Sequence, residues 1–350
     1  MSRSVLPLSV LLFSVAFSST LCAQEAPADY KSNPKFQSAI AEGKQLEKHR
    51  QLPFALDAYK KANKIADGKD TDTLNDIFSL QIKTGSYKDA AATASSLETA
   101  ATTPELKSRA EVNRGYALFL QAGDKHKPDL MNAADTSLKA ALADDPKNAT
   151  AFYLDGKVLA FLGKMNAASD QFKSCLSCMS PNDPSRLRAQ HFAEDPALVL
   201  HKMAPAFEVT ALDGSKFNLD AMGGRVVLID FWATWCGPCN EELPHVKKIA
   251  KEFAGQPLVI ISVSWDSDET KWRNFIDKNE MTWVQYRDAD HSLSREFGVE
   301  SIPHYFTIDS DGVLTAEMLG SGSDVEGKLK KLIARAKTAS QDQPTSHSGN

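Results

Sequence analysis

Cysteine is scarce in this 350-residue chain, with five residues at 22, 175, 178, 236 and 239. That scarcity excludes a small scaffold stapled by many disulfides. No further CxxC and no His pair at ligand spacing occurs after Cys239, so a structural zinc site is not expected either. Past the N-terminus no uncharged apolar run reaches the roughly 18 residues of a membrane span. Basic residues do not dominate: 40 Lys and Arg stand against 45 Asp and Glu, a net charge of -5. No Lys/Arg cluster is interleaved with aromatics, so nucleic acid is not an expected partner. No cofactor or metal is implied. The 42% apolar content is enough for a sizeable core, and the length favours two domains.

The first 23 residues read as a secretory signal. Arg3 supplies the positive start, residues 5–17 the apolar middle and residues 18–23 the small-residue end. Cleavage is expected after Ala23. A retained anchor is the weaker reading because Pro7 and several serines interrupt a short run, and a lipid on Cys22 would want a small residue where Leu21 stands. Once Cys22 is removed, the four remaining cysteines form two CxxC pairs, an even number suited to an oxidising compartment. An extracytoplasmic location, periplasmic or secreted, is therefore expected, with a membrane-anchored form as the alternative. A reductant there needs an electron donor, and none is encoded in this chain.

The chemistry gathers around residues 230–239, DFWATWCGPC. Residues 226–231 are apolar and rich in β-branched side chains except for Asp230, as a central strand covered on both faces should be. Beyond Cys236 the spacing becomes helical, with Leu243, Val246, Ile249, Ala250 and Phe253 on one face. The cysteines thus straddle a strand-to-helix junction. The unpaired N–H groups and positive dipole end of the helix stabilise a thiolate at Cys236, the expected nucleophile. Cys239, one turn on, is placed to resolve a mixed disulfide. Gly237 admits close approach of another backbone, and Pro238 occupies a first-turn position that needs no N–H donor. Pro244 should kink the helix, and Glu241 and Glu242 read as a solvated first turn.

These motifs resemble thioredoxin and, more closely, the TlpA/ResA-like extracytoplasmic thiol-disulfide oxidoreductases, over residues 203–337. APAF at 204–207 with Leu212-Asp213-Gly214 is similar to the family's N-terminal hairpin, WCGPC at 235–239 to its active site, and EELP at 241–244 to the helical segment after that site. The resemblance implies that Ile302-Pro303 is the cis-proline facing the dithiol, and that Asp230 is the buried acid of thioredoxin, a general base toward Cys239. Catalytic roles therefore fall to Cys236, Cys239, Asp230 and Pro303. Trp235, Gly237, Pro238, Ile302 and His304 are the expected substrate groove. His304 stands where the family more often has threonine; it is either a substrate contact or an ordinary strand residue.

Residues 33–183 are alanine-rich with repeated helix-turn signals. Gly156, Leu159, Gly163, Ala168, Phe172 and Cys175 match the spacing of a tetratricopeptide (TPR) repeat, as do Gly115, Leu118, Ala134, Leu138, Ala141 and Pro146 with an insertion near Lys125. Gly43, Leu46, Ala55, Tyr59 and Ala62 fit the same grid, and Gly85, Tyr87, Ala90 and Ala94 fit it less fully. Three or four repeats are expected, with an irregular helical bundle as the alternative. Cys175-Leu176-Ser177-Cys178 falls near the end of a helix, where the dipole raises thiol pKa, so a structural or free pair is expected there, with a second redox centre that hands electrons to Cys236 as the alternative.

The expected architecture is an all-α TPR-like repeat domain (33–183), a linker (184–201) with a short helix, an α/β thioredoxin-like domain (202–337) and a disordered tail (338–350). Within the second domain the pattern places strands at 258–265, 282–286, 304–308 and 313–319 and helices at 269–279 and 325–336. The expected activity is reduction of disulfides in partner proteins, with the repeats as a docking surface for a peptide or protein. A TPR adaptor with a secondary redox domain and a redoxin-type thiol peroxidase are the alternatives; the CGPC sequence argues against the peroxidase.

Overall fold

The computed structural model describes residues 30–341 except 184 and 223. The expected signal segment and Cys22 lie outside these residues, as does most of the expected tail. Two compact units divide at Lys69/Asp70. Among the described residues no helix is long and apolar enough to cross a membrane.

The first unit contains α1 (Pro34–Lys48) and α2 (Leu52–Ile65). Asn33 caps α1 through its side chain and Pro34 sits at its first position. The helices approach where Gly43 faces Tyr59: a Cβ added at Gly43 would lie 2.8 Å from the Tyr59 ring.

The second unit opens with three further antiparallel pairs: α3 (Thr71–Lys83) with α4 (Tyr87–Ala100), α5 (Pro104–Ala122) with α6 (Pro128–Asp144), and α7 (Ala149–Phe161) with α8 (Met165–Cys178). Gly115 faces Leu138 and Gly156 faces Phe172 at the same near-contact distances, so a small residue on one helix receives a large one from the next. The α3/α4 pair reverses the exchange. Phe78 of α3 and Ala94 of α4 share one buried cluster. Gly85 belongs to the turn, at φ 73°, as does Gly163 at φ 74°; it therefore corresponds to Gly163 rather than to Gly156. A ninth helix, α9 (Arg186–Glu194), runs through the expected linker. Its Phe192 joins the Phe172 cluster, and Arg188 is buried against Asp220.

The C-terminal region is a mixed sheet covered on both faces. A small hairpin, β1 (Glu208–Thr210) and β2 (Lys216–Asn218), turns at Gly214 with φ 84°. Next in the chain come β3 (Val226–Trp232), α10 (Gly237–Glu252), β4 (Leu258–Ser264), α11 (Glu269–Lys278), β5 (Val284–Arg287), α12 (Ser292–Glu296), β6 (His304–Ile308), β7 (Leu314–Leu319) and α13 (Val325–Gln341). The strand order is β5-β4-β3-β6-β7, with β3, β4 and β5 parallel and β6 and β7 antiparallel. This is the arrangement the thioredoxin resemblance implies.

Every residue of β3 is buried, as its run of apolar residues around Asp230 requires. Val227, Ile229 and Phe231 pack with Phe297 and Phe306 on one face, while Val226 and Leu228 pack with Val246, Ile249 and Leu329 on the other. By alternation Asp230 shares the face of α10. That helix continues through Pro244 to Glu252. The α13 helix reaches Gln341, so residues 338–341 are helical rather than tail.

Candidate active site

The dithiol stands where β3 gives way to α10. Cys236 is the N-cap residue, and its Sγ accepts the backbone N–H of Cys239 at 3.2 Å. One of the orphan donors at the helix start is thus satisfied by sulfur, an arrangement that favours a thiolate on Cys236 over a neutral thiol. Cys236 and Cys239 are joined by a disulfide with Cα atoms 5.2 Å apart. Both cysteines are buried, whereas Trp235 beside them is 65% exposed. Gly237 and Pro238 are exposed as well, and a Cβ built on Gly237 would meet nothing within 4 Å. Trp235, Gly237 and Pro238 are thus the solvent-facing side of the pair.

Opposite lies the β6 entry loop. The Ile302-Pro303 peptide is cis. The Ile302 carbonyl oxygen lies 3.9 Å from Cys236 Sγ, and Ile302 itself is half-buried against the dithiol cluster. His304 turns the other way. Its ring is buried, stacks on Phe306 with centroids 4.7 Å apart and places Nε2 3.1 Å from Glu317 of β7. Ile302 and the cis-Pro303 thus stand beside Cys236, next in space to Trp235, Gly237 and Pro238 of the dithiol loop. The His304 side chain is committed to the fold.

Asp230 lies on the α10 face of β3. Burial pushes its carboxyl up to about 7, against which the hydroxyl of Ser262 donates to Oδ2 at 2.9 Å, and the nearby Glu242 charge pushes the same way as burial. The Ser262 hydroxyl in turn receives the Trp283 indole N–H at 2.8 Å. Tyr305, paired with Asp230 across β3 and β6, is likewise raised by burial and by these carboxylates.

Three supporting residues escape motif reading. Asp266, just past β4, accepts the Thr234 N–H at 2.9 Å and its hydroxyl at 2.6 Å, and so fixes the loop that carries Trp235 and Cys236. Ser262 is a strand residue with no local signature. Glu242 is not a solvated first-turn acid: its side chain is 14% exposed and accepts the Gly322 N–H at 2.8 Å. Its place three residues after Cys239 and four before Val246, on the buried stripe of α10, was the available signal.

The second CxxC differs in state. Cys175 and Cys178 are free, at the C-terminal end of α8. Cys175 is buried, and burial, then the charges of Cys178 and Asp183, pushes its thiol up to about 11. Among the described residues no group of three or more His, Cys, Asp or Glu side chains is placed to hold a metal ion.

Comparison with known proteins bears on the C-terminal region. A family profile described as Redoxin matches residues 200–333. The chain is 30% identical over 143 residues to the thiol-disulfide oxidoreductase ResA of Bacillus thuringiensis (strain Al Hakam), across 40% of this chain and 83% of that relative. It is 32% identical over 132 residues to the thioredoxin-like protein YneN of Bacillus subtilis (strain 168), across 37% of this chain and 76% of that relative. Among solved structures, a thiol-disulfide oxidoreductase from Bacteroides fragilis NCTC 9343 aligns with 27% identity over 37% of this chain and 99% of its own, with a TM-score of 0.35.

Proposed function

Because the chain belongs to the TlpA/ResA-like thiol-disulfide oxidoreductases of the thioredoxin superfamily, we propose that it reduces disulfides in partner proteins outside the cytoplasm. The observation that carries this reading is the Cys236–Cys239 disulfide at the start of α10, with the Cys239 N–H directed onto Cys236 Sγ. In the reduced enzyme the Cys236 thiolate attacks one sulfur of the partner disulfide. A Cys236–partner disulfide forms and the other partner sulfur leaves as a thiolate that takes up a proton. Cys239 then passes its proton to the Asp230 carboxylate and attacks Cys236 Sγ. The second partner thiol is released, and two electrons have moved from the dithiol to the partner. The oxidised pair is the end point of that cycle, and an external dithiol donor restores it. Asp230, held near 7, is poised to take that proton at neutral pH.

Trp235, Gly237, Pro238, Ile302 and the cis-Pro303 form the groove that receives the partner backbone. The signal-like residues 1–23 and the even cysteine count support export. The three glycine-to-large contacts between paired helices support TPR-like repeats in residues 33–183, with residues 202–337 as the redox domain; the repeats are the docking surface for a peptide or protein. The adaptor and peroxidase readings are not favoured, since the two thiols of one CxxC close on each other.

A Cys239→Ser variant tests the reading. Expressed in the compartment to which the protein is exported, it should accumulate disulfide-linked partners on non-reducing gels, and these should vanish on reduction and in the Cys236→Ser, Cys239→Ser double variant. A reactive Cys236 that captures no partner would sink the proposal.

A further inference from the structure

A cavity of about 400 Å³ lies between α5, α7, α9 and the segment leading into β1, well removed in sequence from the dithiol. Its volume falls within the range of small-molecule sites. Phe119, Tyr153, Phe161 and Phe192 supply aromatic walls, and the titratable side chains that line it are Tyr153, Lys157, Arg188 and His201, with no carboxylate among the lining residues.

The two strong cations are incompletely answered. Among the described residues no acid pairs with Lys157, whose Nζ sits 5.3 Å from the Phe119 ring centroid. Burial, and then the Arg188 charge, lowers its pKa, as expected of an ammonium without a counterion. Arg188 is buried, with Nε donating to Asp220 Oδ1 at 2.8 Å and Nη1 to the Ala204 carbonyl at 2.8 Å. Its Nη2 lies 2.7 Å from the same Asp220 oxygen but is not aligned to donate to it, which leaves a buried N–H group without a hydrogen bond. Tyr153, raised to about 12 mainly by burial, makes no hydrogen bond among the described residues.

We propose that this cavity binds a compact organic carboxylate with a flat apolar body. Lys157 and the unpaired Nη2 N–H of Arg188 hold the anionic head, and the ring stacks among Phe119, Phe161 and Phe192. A carboxylate suits the site because one oxygen accepts the Nη2 N–H while its single charge offsets the unpaired ammonium. A bound ligand would touch helices of the N-terminal half and the strand approach of the redox domain at once.

Calorimetry on the full oxidised chain tests this with benzoate, phenylacetate and 3-phenylpropionate, each beside its neutral amide, and with inorganic phosphate. At least one carboxylate should bind at one to one, its amide at least about tenfold more weakly, and phosphate more weakly than the acid. Lys157→Met should weaken the acid at least about tenfold and leave the amide unchanged. The proposal is overturned if no acid binds at millimolar concentration, if the amide binds as tightly, if phosphate matches the acids, or if a folded Lys157→Met variant keeps wild-type affinity. The amide comparison needs only the wild-type chain and stands even where the variant does not fold.

Discussion

The chain carries the same four-residue spacing twice, at opposite ends of two helices. Cys236 caps the start of α10, accepts a helix N–H on its sulfur and is joined to Cys239. Cys175 and Cys178 close α8, where the dipole is negative; Cys175 is buried and its thiol is pushed up to about 11. The two sulfurs are bonded at α10, whereas both cysteines of α8 are free. In the proposed mechanism the helix end decides which pair supplies the nucleophile.

The comparison breaks most sharply at Cys236→Ser. Insulin reduction coupled to dithiothreitol should fall to the uncatalysed background. If Cys175 and Cys178 sustained turnover in this variant, the two sites would not differ as described.

Asp230→Asn comes next. Resolution of a mixed disulfide, monitored by stopped-flow at pH 7, should slow roughly 10²-fold, the usual contribution of a general base. The same carboxyl affects stability. Its folded pKa, about 7, lies above the 3.8 of an exposed Asp, so the folded oxidised protein binds this proton more tightly than the unfolded chain. Stability from this group is present below pH 4, is lost as pH rises from about 4 to about 7 and stays lost above. The difference between wild type and Asp230→Asn in urea melts should therefore grow across that window, to the order of 4 kcal/mol in favour of Asn at pH 8. A pH-independent difference would place the titration elsewhere.

Gly156→Ala sharpens the contrast from the other side. Its Cβ would lie 2.8 Å from the Phe172 ring, forcing α8 away from α7 at a cost of about 1–3 kcal/mol. Alkylation of Cys175 should accelerate while Cys236 keeps its rate. Equal acceleration at both sites would signal global unfolding instead. Cys175→Ser carries the smallest expected effect, with insulin reduction unchanged within error; a clear loss would make the second pair part of the electron path.

How much the sequence disclosed depends on how local each signal is. The β3 run, the N-cap position of Cys236, the Asp213-Gly214 turn and the 304–308 strand are set by neighbours in the chain, and each was readable. Asp266 acts on Thr234 from 32 residues away and Ser262 on Asp230 from the next strand, so neither had a local mark. Glu242 was readable in principle, but an acid near the start of a helix looks solvated until the buried stripe through Cys239 and Val246 is traced. The α3/α4 pair hid because Phe78 and Ala94 exchange the small and large positions that Gly156 and Phe172 hold, which shifted attention to the turn glycine Gly85. The short helix expected in the linker is α9, but the burial of its Arg188 against Asp220, 32 residues on, had no local mark.

The most direct measurement is the pH dependence of iodoacetamide alkylation on the fully reduced wild-type chain, read cysteine by cysteine through mass spectrometry. Cys236 should titrate below the roughly 8.5 of an ordinary thiol and react first at neutral pH, with Cys175 silent until far higher pH. A Cys236 that titrates at or above the ordinary value, or a Cys175 that reacts as fast at pH 7, would contradict the claim that the helix end makes the site.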